Sequence, residues 1–238
     1  MTGMAARFVI SLDFELMWGV RDHRSVADYG DAVLGGRAAI PRMLALFESH
    51  GVRATWATVG LLMARNRDEI LDHAPALRPD YRSPAESPYA FVASGLGKDE
   101  DADPWHFGRS LVDRIAATPG QEIGTHSFSH FHALEPGFTR QALAADLDAA
   151  RSLAGAAGLA PESIVFARNQ MDAAAVDIAV GRGFRAFRGN PERTLYRARS
   201  GADNSPLVRL GRLVDSLAPL TRAGIAGKAA AAQGGMNV

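Results

Sequence analysis

Two histidines four residues apart, His126 and His130, are the side chains best placed to act together. They lie in Thr125-His126-Ser127-Phe128-Ser129-His130, directly after the strand-like segment Gln121-Glu122-Ile123-Gly124. That spacing lets two imidazoles face one point, on a helix turn or in a curved loop. Near the N-terminus, Phe8-Val9-Ile10-Ser11-Leu12-Asp13-Phe14-Glu15 is an apolar strand ending in two carboxylates two residues apart. Neutral imidazoles plus a carboxylate make a zinc-type site with one position open for water. A second carboxylate beside it would accept a proton. Asp13 follows a continuous apolar run, so it should sit near the core edge, where a carboxylate needs a cation or a donor. Positions 13 and 15 of a strand point the same way, so both could reach one centre. The ordinary alternatives are a solvated histidine pair and a strand-end turn with an exposed acid.

Arg168, in Val165-Phe166-Ala167-Arg168-Asn169-Gln170, ends another apolar run. It is either a surface arginine or the partner that holds the catalytic carboxylate ionised and oriented. Asn169 and Gln170 could bond a sugar hydroxyl or cap the following helix. Trp18 and Gly19 either wall a sugar site or belong to the core. His132 is read as a residue behind the pair or on the surface.

These residues need a frame. Strand-like runs at 7–13, 52–59, 163–167 and 184–187, with the one before His126, alternate with helical patterns at 38–50, 61–73, 107–117, 140–157, 173–180 and 206–220. Alternation of this kind predicts parallel βαβ units, in a doubly wound sheet or a (β/α) barrel. Asp13, His126 and Arg168 all fall at C-terminal strand ends, the edge where both architectures build active sites. Five strands are too few to close an eight-stranded barrel. Residues 20–34 read as a polar loop. Residues 74–104, with five prolines and the acidic run Asp99–Asp103, read as a long insertion loop of functional use. No internal repeat or linker divides residues 1–238, so one domain is expected.

Composition excludes several classes. There is no cysteine, so thiolate ligands, disulfides and cysteine nucleophiles are out. Lys98 and Lys228 are the only lysines, which argues against Schiff-base chemistry. Lys+Arg and Asp+Glu each number 26, and this balance gives no sign of a nucleic-acid partner. Ser127 and Ser129 lack a nucleophile-elbow pattern. Gly35-Gly36 and Gly181-Arg182-Gly183 are not phosphate loops. The start, Met1 to Arg7, holds no apolar stretch long enough for a signal peptide or a membrane span, and a cytoplasmic location is expected.

Taken together, the motifs resemble the NodB-type polysaccharide deacetylase family. Ser11-Leu12-Asp13-Phe14-Glu15 is similar to its first motif, and Thr125-His126-Ser127-Phe128-Ser129-His130 to its second, His-(Ser/Thr)-x-x-His. Thr55-Trp56-Ala57-Thr58-Val59-Gly60 resembles the second-strand segment between them, and Phe166-Ala167-Arg168-Asn169-Gln170 the arginine-bearing third motif of a divergent branch. The resemblance runs from about residue 6 to 190. It implies an incomplete or distorted (β/α) barrel of the deacetylase type. It makes Asp13 the general base, His126 and His130 metal ligands, Glu15 the third ligand in place of an Asp, and Arg168 the residue that orients Asp13. It implies a divalent metal, zinc first, with iron, cobalt or manganese as alternatives. The implied reaction removes an N-acetyl or other N-acyl group from an amino sugar. A deformylase or cyclic-amide hydrolase, or a catalytically silent carbohydrate-binding relative, are the rival readings. The family also carries a late histidine as general acid. No histidine follows His132, so a chain truncated at its C-terminus is expected.

Overall fold

The sheet begins at β1 (Ser11–Phe14) and adds strands strictly in chain order: β2 (Ala54–Thr58), β3 (Gln121–Thr125), β4 (Ser163–Ile164), β5 (Ala186–Phe187) and β6 (Met236–Asn237). The structure is a computed structural model that describes residues 8–190, 196–201, 203, 205–217 and 236–237. Every neighbouring pair of strands is parallel. The helices are α1 (Val26–Ser49), α2 (Arg67–His73), α3 (Tyr89–Ser94), α4 (Arg109–Ala117), α5 (Arg140–Ala156), α6 (Ala173–Gly181) and α7 (Pro206–Leu217). A doubly wound sheet reverses its strand order at a switch point; this one never does, which is the winding of a (β/α) barrel.

The sheet is also curled. In a flat sheet, four interstrand steps would put β1 and β5 about 19 Å apart. Instead Arg188, just past β5, donates to Asp13 Oδ1 and Oδ2 at 2.7 and 2.9 Å. An arginine spans that distance only if the sheet bends β5 round toward β1. Strands β1 to β5 all contribute to the wall of one cavity of about 270 Å³ on the inner face. The result is an incomplete (β/α) barrel.

Two apolar clusters hold the helices against the outside. Phe14, Leu44, Trp56, Val112, Ile115 and Leu153 belong to one. Phe131, Leu143, Leu147, Phe166, Val176 and Phe187 belong to the other. Trp18 joins the first, its indole Nε1 donating to the His106 carbonyl at 2.7 Å, so it is core rather than a sugar platform.

Several boundaries differ from the sequence reading. The expected loop at 20–34 is largely helix, because Ser25 and Asp28 form a capping box that starts α1 well before Ala38. The helix expected over 61–73 is split. A 3-10 turn (Gly60–Met63) is followed by extended backbone, and Asn66 restarts the helix by accepting from Glu69 N at 2.9 Å. The strand expected over 163–167 stops at Ile164, and a 3-10 turn occupies Ala167–Asn169. Residues 74–104 carry α3 and a 3-10 turn (Pro84–Glu86), and they bury Tyr81, Tyr89, Val92 and Leu96. Residues 218–220 of the last expected helix lie outside the described residues. Among the described residues no helix is long and apolar enough to cross a membrane.

Candidate metal centre

Glu15 leaves the strand as soon as β1 ends. Its backbone (φ −132°, ψ −15°) caps a 3-10 turn, Leu16–Gly19, and Leu16 is left-handed at φ 46°. This bend folds the carboxylate back over Gly19. A Cβ at Gly19 would lie 2.1 Å from Glu15 Oε1, so only glycine leaves that space. The bend sends Glu15 toward the histidines, while Asp13 stays on the strand.

The histidines stand on the loop after β3. His126 N donates to the Thr58 carbonyl at 2.8 Å, which extends the pairing of β3 with β2 by one step. Ser127 (φ 65°) and His130 (φ 57°) are both left-handed, a conformation that costs non-glycine residues on the order of 1 kcal/mol or more each. The loop survives because α5 holds it. The Asp146 carboxylate, 1 % exposed, accepts from Phe128 N at 2.7 Å, Ser129 N at 3.2 Å and the Ser129 hydroxyl. Ser127 Oγ accepts from Phe131 N at 2.6 Å. On its other side the loop's Ser127 and Phe128 carbonyls accept from Gly60 N and Leu61 N at 2.8 and 3.1 Å.

The arrangement brings three side chains to one point. Glu15 Oε2 lies 3.3 Å from His126 Nε2 and 3.1 Å from His130 Nε2. One donor atom from each of Glu15, His126 and His130 lies within 4.8 Å of the others. Both imidazoles are buried and Glu15 is half-buried. His126 Nδ1 is 2.8 Å from the Val165 carbonyl, which can only accept, so Nδ1 carries the hydrogen and Nε2 presents a lone pair to the centre. A lone pair facing a carboxylate at 3.3 Å needs a positive charge between them or a proton on the ring. Burial pushes the His130 imidazole down, toward its neutral form, so protonation is the costlier answer there. Burial works against ionising Glu15 as well. With no ion between them, hydrogen bonds from the His126 and His130 ring nitrogens outweigh that and hold its carboxyl well below the ordinary range, and a cation would take the place of those ring protons. Donors about 2.1 Å from one ion at tetrahedral corners stand about 3.4 Å apart, close to the two separations observed. The residues therefore fit a divalent cation.

His132 lies behind the pair, buried, with Nε2 3.3 Å from His130 Nδ1. Burial, then the neighbouring His130, push its pKa down to about 2, so it stays neutral. Its backbone N–H donates to Tyr81 Oη at 2.9 Å, which ties the 74–104 segment to the back of the site.

Asp13 is partly exposed, not buried at the core edge, and its partner is not the expected one. Arg188, rather than Arg168, grips both of its oxygens. Arg168 sits left-handed (φ 55°) in the turn after β4 and instead pairs with Asp22. Burial would raise Asp22; the Arg168 and His23 hydrogen bonds reverse this and hold it at about 2. Asn169 connects the two arginines' surroundings, its Oδ1 accepting from Arg188 Nη2 at 3.1 Å. Gln170 is buried, donating to Glu135 Oε1 and accepting from Leu134 N, so it is committed internally. The sequence reading missed Arg188 and Asp146. Arg188 was open to the rule already in use, since it directly follows a strand. Asp146 gave no signal, as one acid on an amphipathic helix.

No family model matches this chain, and no curated protein matches it. Solved structures do. A protein from Mycobacterium smegmatis described as a polysaccharide deacetylase matches 76% of this chain at 13% identity and a TM-score of 0.48, over 49% of its own length. A de-N-acetylase from Aggregatibacter actinomycetemcomitans matches 78% of the chain at 13% identity and a TM-score of 0.45, over 63% of its length. A CE4 family pseudoenzyme from Bacillus anthracis matches 77% at 13% identity and a TM-score of 0.43, over 43% of its length. The chain spans about half the length, or less, of the first two structures it matches. Over some three quarters of its residues, then, this chain is similar in structure to polysaccharide deacetylases and to a CE4 family pseudoenzyme.

Proposed function

We propose that the chain is a metal-dependent hydrolase that removes an N-acetyl or other N-acyl group from an amino sugar. The observation that carries this reading is the Glu15–His126–His130 donor set, two buried imidazoles and a half-buried carboxylate, at the strand edge that also bears the restrained carboxylate Asp13. Glu15, His126 and His130 would hold the ion, zinc first by its donor set. Bound there, a divalent cation supplies Lewis acidity toward an amide carbonyl and lowers the pKa of water. Asp13 accepts a proton from the attacking water. Arg188 fixes the direction of the Asp13 oxygens. The C–N bond breaks, the acyl carbon keeps the water oxygen, and the proton held by Asp13 is available to the departing nitrogen. His126 keeps its lone pair aimed inward through the Val165 carbonyl.

Metal content by mass spectrometry and acetate release from N-acetylglucosamine oligomers test the proposal together. Bound metal and acetate release are expected from the intact chain. His126→Ala and His130→Ala should lose the metal, whereas Asp13→Ala should keep it and lose turnover. Full turnover in Asp13→Ala would remove Asp13 as the base. A metal-free protein with no amidase or esterase activity would sink the enzyme reading. It would leave the silent carbohydrate-binding relative.

A further inference from the structure

The two histidines of the centre are backed differently. A histidine that binds a metal through one ring nitrogen has its tautomer set by whatever the other nitrogen bonds. Behind His126 that partner is the Val165 carbonyl, which only accepts. Behind His130 it is another ring: His130 Nδ1 lies 3.3 Å from His132 Nε2. A neutral imidazole can donate or accept at that nitrogen, so the contact alone does not set the tautomer. The choice passes to the far side of His132. Its Nδ1 is buried and has no hydrogen-bond partner. The ring itself is well held. It meets His130 edge-on, with centroids 5.2 Å apart and planes at 81°. Tyr81 packs against it and accepts from its backbone N–H.

Two arrangements of the pair follow, each with one hydrogen per ring. In the first, His130 Nε2–H donates to Glu15 Oε2, 3.1 Å away, and His130 Nδ1 accepts from His132 Nε2–H. His132 Nδ1 is then a bare lone pair. In the second, His130 Nδ1–H donates to His132 Nε2, and His132 carries its own hydrogen on Nδ1. The His130 Nε2 lone pair then faces the centre. A buried N–H without a partner is less tolerated than an acceptor without one. The metal-free protein therefore holds the first arrangement, which also gives Glu15 a donor. Only the second leaves a lone pair for a cation. We infer that His132 is a positioning residue that carries His130 between these tautomers, both rings changing together when the centre is loaded. The shared hydrogen crosses from His132 to His130, solvent takes the one on His130 Nε2, and solvent returns one to His132 Nδ1. Neither ring changes its net charge. The inference rests on the metal centre of the reading above and not on the reaction proposed for it.

The test is two-bond proton–nitrogen NMR correlation of the histidine rings in the full chain, metal-free and with zinc, which separates bare from protonated ring nitrogens. His132→Gln assigns the His132 signals by their loss. Metal-free, the His132 hydrogen should sit on Nε2 and His130 Nδ1 should be bare. With zinc, it should sit on Nδ1, and His130 Nδ1 should be protonated. A His132 tautomer that zinc binding leaves unchanged overturns the proposal. Zinc affinity, measured by competition with a chelator, gives a second readout. His132→Phe keeps a buried ring without the acceptor and should bind zinc about tenfold to a hundredfold more weakly, the usual cost of losing the partner behind a ligating histidine. His132→Gln returns an acceptor in place of Nε2 and should recover most of that loss. A role in packing alone predicts the opposite order, since phenylalanine is the closer match to the ring. Equal zinc affinity in His132→Phe and the intact chain also overturns the proposal. The tautomer change is read on the intact chain, so it decides the matter even where His132→Phe does not fold. A tautomer change with zinc but no acyl release from any sugar would uphold this inference and reject the hydrolase. Acyl release with an unchanged His132 would do the reverse. An intact chain that binds no zinc overturns both.

Discussion

Asp13 and Glu15 are two residues apart, yet separate parts of the chain fix them. Glu15 is shaped by its own turn and by the absence of a side chain at Gly19. Asp13 is held from 175 residues away by Arg188. Each restraint can be tested alone. Gly19→Ala places a methyl group against the Glu15 carboxylate, so metal affinity should fall about tenfold or more, with the circular dichroism spectrum retained. Arg188→Ala should leave metal content unchanged and lower kcat about tenfold to a hundredfold, the worth of a bidentate charged pair. Arg188→Lys should recover little, because an ammonium cannot reproduce the fork. The sequence exposed His126, His130 and Glu15 through residue type and spacing. It misassigned the arginine because two arginines follow strands, and only the curl of the sheet decides which reaches Asp13.

At the scale of elements, the histidine loop depends on α5 on one side and the β2 exit on the other. Its left-handed Ser127 and His130 carry no glycine, so their conformation was not legible in the sequence. The helix starts tell a similar story: the Ser25/Asp28 box and the Asn66 cap are readable signals, but the polar character of 20–34 hid the first and the apolar run 59–64 leading into the second hid the other. Gly60→Ala would set a Cβ 2.8 Å from Phe128 Cα, so it should shift the loop and lower both thermal stability and metal affinity. Asp146 should show itself through pH. Burial, against the donors from Ser129 and Phe128, raises its pKa to about 6. The unfolded chain takes up that proton near pH 4, so between the two values the native state binds more protons and stability falls as pH rises. Asp146→Asn should remove this slope, a difference on the order of 3 kcal/mol between pH 4 and pH 7. Urea unfolding of the metal-free protein and the variant at both values measures it.

Across the whole molecule, strand–helix alternation was readable, but the choice of a barrel over a doubly wound sheet came only from the motif resemblance, and the strand order agrees with it. Strand order depends on which edge each helix crosses, and no local pattern records that. The proposed ion would tie the end of β1 to the loop after β3, so loading should stabilise the fold as a ligand does. At a hundred times Kd the gain is about 2.7 kcal/mol, or roughly 5–10 °C in Tm for a chain of this size. Thermal unfolding with and without zinc should show that rise, and His126→Ala should abolish it. The Asp13–Arg188 grip across the curl also has a temporal consequence. A ribosome delivers Glu15, His126 and His130 well before Arg188, so a growing chain acquires every proposed metal ligand first. The residue that aims its base comes later, when β5 swings round to β1. Cleavage or stalling in between would yield a chain that holds all three proposed metal ligands while its proposed base is still unaimed.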